Sequence, residues 1–70
     1  MRLDIKKLNI AQANKCFSNI ELSQNANVGL QTITEIKQGK RTPTLKTIGK
    51  LAKGLNCDVT ELIEQESDNR

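Results

Sequence analysis

The 70-residue chain contains no histidine, tryptophan or tyrosine, and its single aromatic residue is Phe17. Without histidine, the chain lacks the commonest metal ligand and the commonest general base. Its two cysteines, Cys16 and Cys57, lie far apart and match no metal-binding spacing, so we expect two reduced thiols, no metal and no cofactor. No nucleophile stands in an evident arrangement with a base, and no pair of carboxylates suggests acid–base catalysis. The chain is therefore predicted not to be an enzyme.

Long hydrophobic runs are also missing. No stretch approaches the roughly 20 apolar residues that span a bilayer, and the basic N-terminus is not followed by the apolar segment of a signal peptide. We therefore expect a cytoplasmic protein without a membrane partner. A chain of this length holds one domain at most, which we place at residues 1–64, followed by an acidic, frayed tail at residues 65–70.

Charge is distributed unevenly along the chain. Residues 1–57 contain ten lysines and arginines against three acidic residues, whereas residues 58–70 contain one arginine and five acidic residues. A basic body of this kind favours a polyanionic partner, although an ordinary solvated surface would have a similar composition.

Apolar residues recur at helical spacing, and no run alternates in the manner of a strand. The pattern predicts an all-α domain of five short helices at about residues 4–16, 18–26, 30–38, 44–55 and 58–64. One shared core is expected for these helices. Its predicted members are Leu8, Ala11, Phe17, Leu22, Ala26, Val28, Ile33, Ile36, Leu45, Ile48, Leu51, Leu55, Cys57 and Leu62.

Short-range signals mark the helix ends. Ser18 and Glu21 have the spacing of a capping box, in which each side chain accepts a hydrogen bond from the other residue's backbone N–H. Asn27 is suited to a left-handed backbone conformation, and Gly39 is suited to the position after a helix C-terminus. Thr44 is expected to cap the fourth helix.

Residues 19–38 read as a helix, a three-residue turn and a second helix. Two helices joined at a steep angle by such a turn form the DNA-binding helix-turn-helix. The apolar side of the second helix, with Ile33 and Ile36, packs on the body of the domain. Its other side then stands free to enter a groove about 12 Å wide.

The stretch from Phe17 to Ile63 resembles the phage-repressor and Cro type (XRE) of helix-turn-helix regulators. The similarity lies in two segments, residues 18–45 (SNIELSQNANVGLQTITEIKQGKRTPTL) and residues 51–63 (LAKGLNCDVTELI). Its most specific part is the Ile-x-x-Gly-Lys-Arg-x-Pro signature at residues 36–43. Ser23 and Asn27 stand where the family usually has alanine and glycine. The family often bridges an acid at position 37 to a base in the first helix, but this chain has Lys37 and Gln12 there, so we expect no such ion pair.

The resemblance implies a lambda-repressor-like fold and a sequence-specific regulator of transcription, acting as a repressor, that reads the major groove of double-stranded DNA with helix 30–38. Glutamine pairs well with adenine, glutamate accepts from cytosine and leucine contacts the thymine methyl group. The expected base contacts are Leu30, Gln31, Thr32, Thr34 and Glu35. The expected phosphate contacts are Ser18, Asn19, Lys37, Lys40, Arg41 and Lys46.

The resemblance also implies dimers on roughly palindromic operators, with half-sites about 34 Å apart. Any dimer is expected to use helix 58–64, with Val59, Leu62 or Ile63 exposed in a small patch. The alternative is an antitoxin or adaptor that mainly binds a partner protein. A single aromatic residue argues against it, because protein-binding hot spots favour tryptophan, tyrosine and arginine.

Overall fold

The computed structural model describes residues 2–64, which form four α-helices and one short 3-10 helix. Within these residues there is no strand, so the predicted all-helical class is confirmed, but the fifth α-helix is not. The elements in chain order are α1 (Ile5–Asn14), α2 (Asn19–Ala26), α3 (Leu30–Lys37), α4 (Leu45–Gly54) and a 3-10 helix (Val59–Glu61).

Side-chain caps begin α1, α2 and α4. The caps of α2 and α4, at Ser18 and Thr44, were predicted from the sequence, and the cap of α1 was not. The Asp4 carboxylate accepts from the backbone N–H groups of Lys6 and Lys7 at the start of α1. At the start of α2, the Ser18 hydroxyl accepts from the Glu21 N–H, and the Glu21 carboxylate accepts from the Ser18 N–H, which completes the capping box. These bonds satisfy N–H groups that a helix cannot pair internally.

The turn between α2 and α3 depends on Asn27, whose φ is 58°. Its left-handed conformation reverses the chain within three residues, which is the role that the sequence predicts for this asparagine. The Ser23 hydroxyl donates to the Val28 carbonyl oxygen at 2.6 Å and so ties α2 to the far side of the turn. Gly39, with a φ of 78°, ends α3 as expected.

α2 packs against both α3 and α4, and α4 also packs against the 3-10 helix. α4 approaches α2 closely at Gly54, where an added Cβ would lie 2.6 Å from the Cα of Ala26. The core between the helices is aliphatic. Its buried members are Leu3, Leu8, Leu22, Ala26, Val28, Ile33, Ile36, Ile48, Leu51, Ala52, Leu55 and Leu62.

The predicted core is wrong at Leu45, which is 68% exposed. Leu45 is the first residue of α4, and it lies to one side of the stripe formed by Ile48, Leu51 and Leu55 when the helix advances about 100° per residue. The prediction also omits Leu3, which is buried although it precedes α1. Phe17 and Cys57 are only partly buried and pack at the margin of the core.

The two ends of the described chain pair with each other. Leu3 and Ile63 form an isolated antiparallel bridge, the Asp4 N–H donates to the Leu62 carbonyl at 2.8 Å, and the Glu64 N–H donates to the Arg2 carbonyl at 2.7 Å. This pairing explains why residues 58–64 are not an α-helix, since the backbone of Glu64 is bonded to the N-terminal segment. The predicted tail at residues 65–70 lies outside the described residues.

Candidate nucleic-acid interface

α3 turns one side to the core and the other to solvent. Ile33 and Ile36 are almost completely buried. With about 100° between successive residues, the direction opposite to them falls closest to Gln31, with Thr34 and Glu35 on either side of it. Gln31 is exposed, whereas Thr34 and Glu35 are half-buried. The outward face of α3 is therefore short, polar and centred on one glutamine.

The remaining two predicted base-contacting residues lie at the margins of this face. Leu30 is 42% exposed and adds an apolar side chain to one margin. Thr32 is half-buried on the other margin. The Thr34 hydroxyl donates to the Leu30 carbonyl oxygen at 3.0 Å, so its proton is engaged within the helix. Its oxygen can still accept a hydrogen bond.

The carboxylate of Glu35 joins α3 to the loop that follows it. One oxygen accepts from Nε of Arg41 at 2.8 Å, and the other accepts from Nε2 of Gln31 at 3.4 Å. The hydrogen bond from Arg41, and to a smaller extent that from Gln31, holds the pKa of the Glu35 carboxyl below its usual value. Glu35 is therefore ionised at neutral pH.

The N-terminus of α2 offers a site for an anion. The capping box engages the N–H groups of Ser18 and Glu21. Among residues 2–64, the backbone N–H groups of Asn19 and Ile20 make no hydrogen bond. Unpaired N–H groups and the positive end of the helix dipole both favour a phosphate oxygen at this position.

The ammonium group of Lys37 lies at this same helix terminus. It donates to Oδ1 of Asn19 at 2.9 Å and to Oε1 of Gln12. Gln12 is 8% exposed, and its Nε2 donates to the Phe17 carbonyl and to Asn19. A hydrogen bond thus connects positions 12 and 37, which the sequence did not predict. Partial burial lowers the pKa of the Lys37 ammonium from its usual value.

Lys37 and Arg41 lie beside opposite edges of the outward face of α3. The helical spacing places Lys37 next to the Leu30 margin, and Arg41 is bonded to Glu35 on the other margin. Lys40 and Lys46 are exposed and make no ion pair among the described residues. The structure thus brings together Ser18, Asn19 and Lys37 as one group and Arg41 and Glu35 as another.

The sequence indicates only that Gln12 cannot form the ion pair common in the family, and it does not predict that Gln12 is the buried centre of a polar cluster. A glutamine in the middle of a short amphipathic helix carries no local signal of this role. Among residues 2–64, no group of three histidine, cysteine, aspartate or glutamate side chains is placed to hold a metal ion. No helix in the same range is long and apolar enough to cross a membrane.

Comparison with known families agrees with this geometry. A family model described as helix-turn-helix matches residues 17–62, which is more than half of the chain. Comparison with curated proteins finds no match. The matched range contains α2, the turn, α3 and α4, and it confirms the predicted type of regulator. The chain therefore belongs to the helix-turn-helix family of DNA-binding regulators of the phage-repressor and Cro type.

Proposed function

We propose that the protein is a sequence-specific transcriptional regulator, acting as a repressor, that inserts α3 into the major groove of double-stranded DNA. The observation that carries this proposal is the outward face of α3. On this face Gln31 is exposed, and the cationic groups of Lys37 and Arg41 lie beside its two edges. Glutamine pairs with the N6 and N7 atoms of adenine through its amide, so one exposed glutamine is enough to prefer a base pair. Leu30, Thr32 and Thr34 complete the proposed base-contacting set, and Glu35 lies beside Gln31 on the same face.

The DNA backbone would be bound on both sides of this face. On one side, the N-terminus of α2 and the ammonium of Lys37 form a site for a phosphate oxygen. On the other side, the guanidinium of Arg41 and the ammonium of Lys40 neutralise a second stretch of backbone. Contacts of this kind set the position of the helix in the groove, and base contacts supply the sequence preference. Lys46, on the first turn of α4, is proposed as a further phosphate contact.

We propose that the protein binds as a dimer to a roughly palindromic operator. The expected patch at residues 58–64 needs one correction, because Leu62 is completely buried and cannot contact a partner. Val59 and Ile63 are half-buried and leave only a small apolar surface. Such a surface favours a dimer that forms on DNA, where two adjacent half-sites bring the protomers together.

Selection of bound sequences from random duplex DNA, at near-physiological salt, tests this function. The wild-type protein is expected to enrich a short site with dyad symmetry. Gln31→Ala is expected to cost about 1–3 kcal/mol at one base pair in each half-site and to relax the preference there. Lys53→Ala, an exposed change at the end of α4, serves as the control and is expected to leave the selected site unchanged.

The selection also has clear negative outcomes. If the wild-type protein enriches no sequence, specific regulation is excluded, and a partner protein becomes the target to identify. If Gln31→Ala weakens all sequences to the same extent, Gln31 contacts the backbone and α3 does not read bases through it.

A further inference from the structure

We propose that Glu35 is a positioning residue, which orients Gln31 toward a base and Arg41 toward a phosphate and does not itself read a base. This inference rests on the proposed function, and it assigns a role to the acidic residue of α3. Glu35 is the only acidic residue on α3. A carboxylate near the phosphate backbone is repelled by it. Its presence at this position therefore calls for a contribution that offsets the repulsion.

The first part of that role follows from the chemistry of the amide. A glutamine amide has a donor end and an acceptor end, and a half-turn about its last bond exchanges them. An ionised carboxylate only accepts, so it favours the orientation in which Nε2 of Gln31 faces Glu35, as observed at 3.4 Å. The flipped orientation would place two oxygens against each other. Glu35 therefore fixes which end of the Gln31 amide faces which base atom.

This orientation decides sequence preference. Adenine presents an acceptor, N7, beside a donor, N6, whereas guanine presents two acceptors at the same edge. An amide with its donor and acceptor in a fixed order matches the adenine pattern. An amide that turns freely can adapt to several patterns and discriminates less between them. A second N–H of Nε2 remains available for N7 after the first has bonded to Glu35.

The second part concerns Arg41. It uses Nε to donate to Glu35 at 2.8 Å, and its two terminal nitrogens make no hydrogen bond among residues 2–64. An arginine fixed through Nε presents these terminal donors in a plane, which suits a phosphate. The single carboxylate thus connects the base-facing residue to a backbone-facing residue through its two oxygens.

Direct base reading by Glu35 and positioning by Glu35 make different predictions. A glutamate that accepts from cytosine controls a base pair of its own. A glutamate that acts through Gln31 controls the base pair that Gln31 reads. The two roles are therefore separated by which position of the operator responds to a substitution at residue 35.

The experiment is selection from random duplex DNA with the wild-type protein and four variants. These are Glu35→Ala, Gln31→Ala, the double variant that combines these two changes, and Arg41→Ala. Helical content measured by circular dichroism confirms that each variant is folded. Glu35→Ala is expected to reduce discrimination roughly three- to tenfold at the base pair that Gln31→Ala affects. The double variant is expected to show no further loss, since the two residues act as one unit. Arg41→Ala is expected to weaken all sequences without changing the preferred site.

A change at a different base pair in Glu35→Ala would show that Glu35 reads a base directly and would overturn the inference. An unchanged preference at every base pair in Glu35→Ala would overturn it as well. If Gln31→Ala and Glu35→Ala give additive losses at one base pair, the two residues act independently, again against the proposal. A wild-type protein that enriches no site overturns the proposed function itself, which distinguishes that failure from the others.

Discussion

The carboxylate of Glu35 provides a measurement that needs no DNA. Its pKa is lowered mainly by the hydrogen bond from Arg41, so Arg41→Ala is expected to raise this pKa toward its usual value. Gln31→Ala is expected to raise it less, since its hydrogen bond is the smaller cause. NMR titration of the glutamate carboxyl resonance in the free protein measures both shifts. Arg2→Ala removes a contact to Glu64 instead, and it should leave the pKa of Glu35 unchanged.

The same shift sets the sign of a pH effect on folding. The pKa of Glu35 is lower in the folded protein than its usual value in an unfolded chain. Its stabilising contribution is therefore present above that unfolded value and is lost as the pH falls through the folded pKa. Glu35 is half-buried, but solvent still reaches the ion pair through the exposed Arg41 and screens it, so this contribution to the free energy of unfolding is small.

Gln12 is the second residue whose role is set by its surroundings. It is nearly buried, and it bonds to Lys37, Asn19 and the Phe17 carbonyl. Gln12→Ala leaves partly buried polar groups without a partner and is expected to lower the free energy of unfolding by about 1–3 kcal/mol. Urea denaturation measures the loss. Gln24→Ala, on the exposed side of α2, is the control, and an equal loss in both variants would contradict the assigned role of Gln12.

Among the elements, α4 contains two glycines with opposite expected effects. An alanine Cβ at Gly49 would meet nothing within 4 Å, whereas at Gly54 it would lie 2.6 Å from the Cα of Ala26. Gly49→Ala is expected to stabilise the protein by about 0.5–1 kcal/mol, because alanine restricts the unfolded chain and favours the helix.

Gly54→Ala is expected to destabilise the protein by about 1–3 kcal/mol, since α4 must move away from α2. Thermal denaturation of the two variants compares the same chemical change at two positions of one helix. Stabilisation by both substitutions would mean that α2 and α4 can separate without loss, and that Gly54 is not required for their packing.

Within the helix-turn-helix, the local sequence and the tertiary structure agree closely. The capping box at Ser18 and the left-handed conformation at Asn27 depend on neighbours within three residues, so they were predictable from the sequence. The relative placement of Lys37 and Asn19 depends on how α3 packs against α2. For that reason the sequence indicated both as phosphate contacts but did not indicate that their side chains touch.

At the scale of the whole molecule, the pairing of the two ends holds the N-terminal segment on the helical body. Leu3 is buried beside the bridge to Ile63. Leu3→Ala is expected to lower the free energy of unfolding by about 2–5 kcal/mol, the usual range for removal of a buried leucine. Leu45→Ala makes the same change at a side chain that is 68% exposed, and it should cost little. Urea denaturation that finds equal losses would show that Leu3 is not part of the core.

The proposed phosphate contacts, and not the net charge alone, are expected to set the salt dependence of DNA binding. Lys40→Ala with Arg41→Ala removes two proposed phosphate contacts, and each is expected to reduce the slope of log affinity against log salt by about 0.9. Binding measured over a series of salt concentrations gives this slope. The pair Lys50→Ala and Lys53→Ala, on α4, changes the net charge equally and should have a smaller effect. Equal slopes for the two double variants would mean that net charge alone, and not contact, attracts DNA.

The sequence by itself determined the helical class, the caps at Ser18 and Thr44 and the turn at Asn27, because these depend on hydrophobic periodicity and on interactions between near neighbours. The family followed from the resemblance of residues 17–63 to known regulators. Only the tertiary structure decided which distant groups meet. It placed Arg41 on Glu35, Lys37 on Gln12 and Asn19, and the N-terminal segment on residues 62–64, where a fifth helix was predicted. Such contacts depend on the packing angles of whole helices, which many residues determine together and which no short motif encodes.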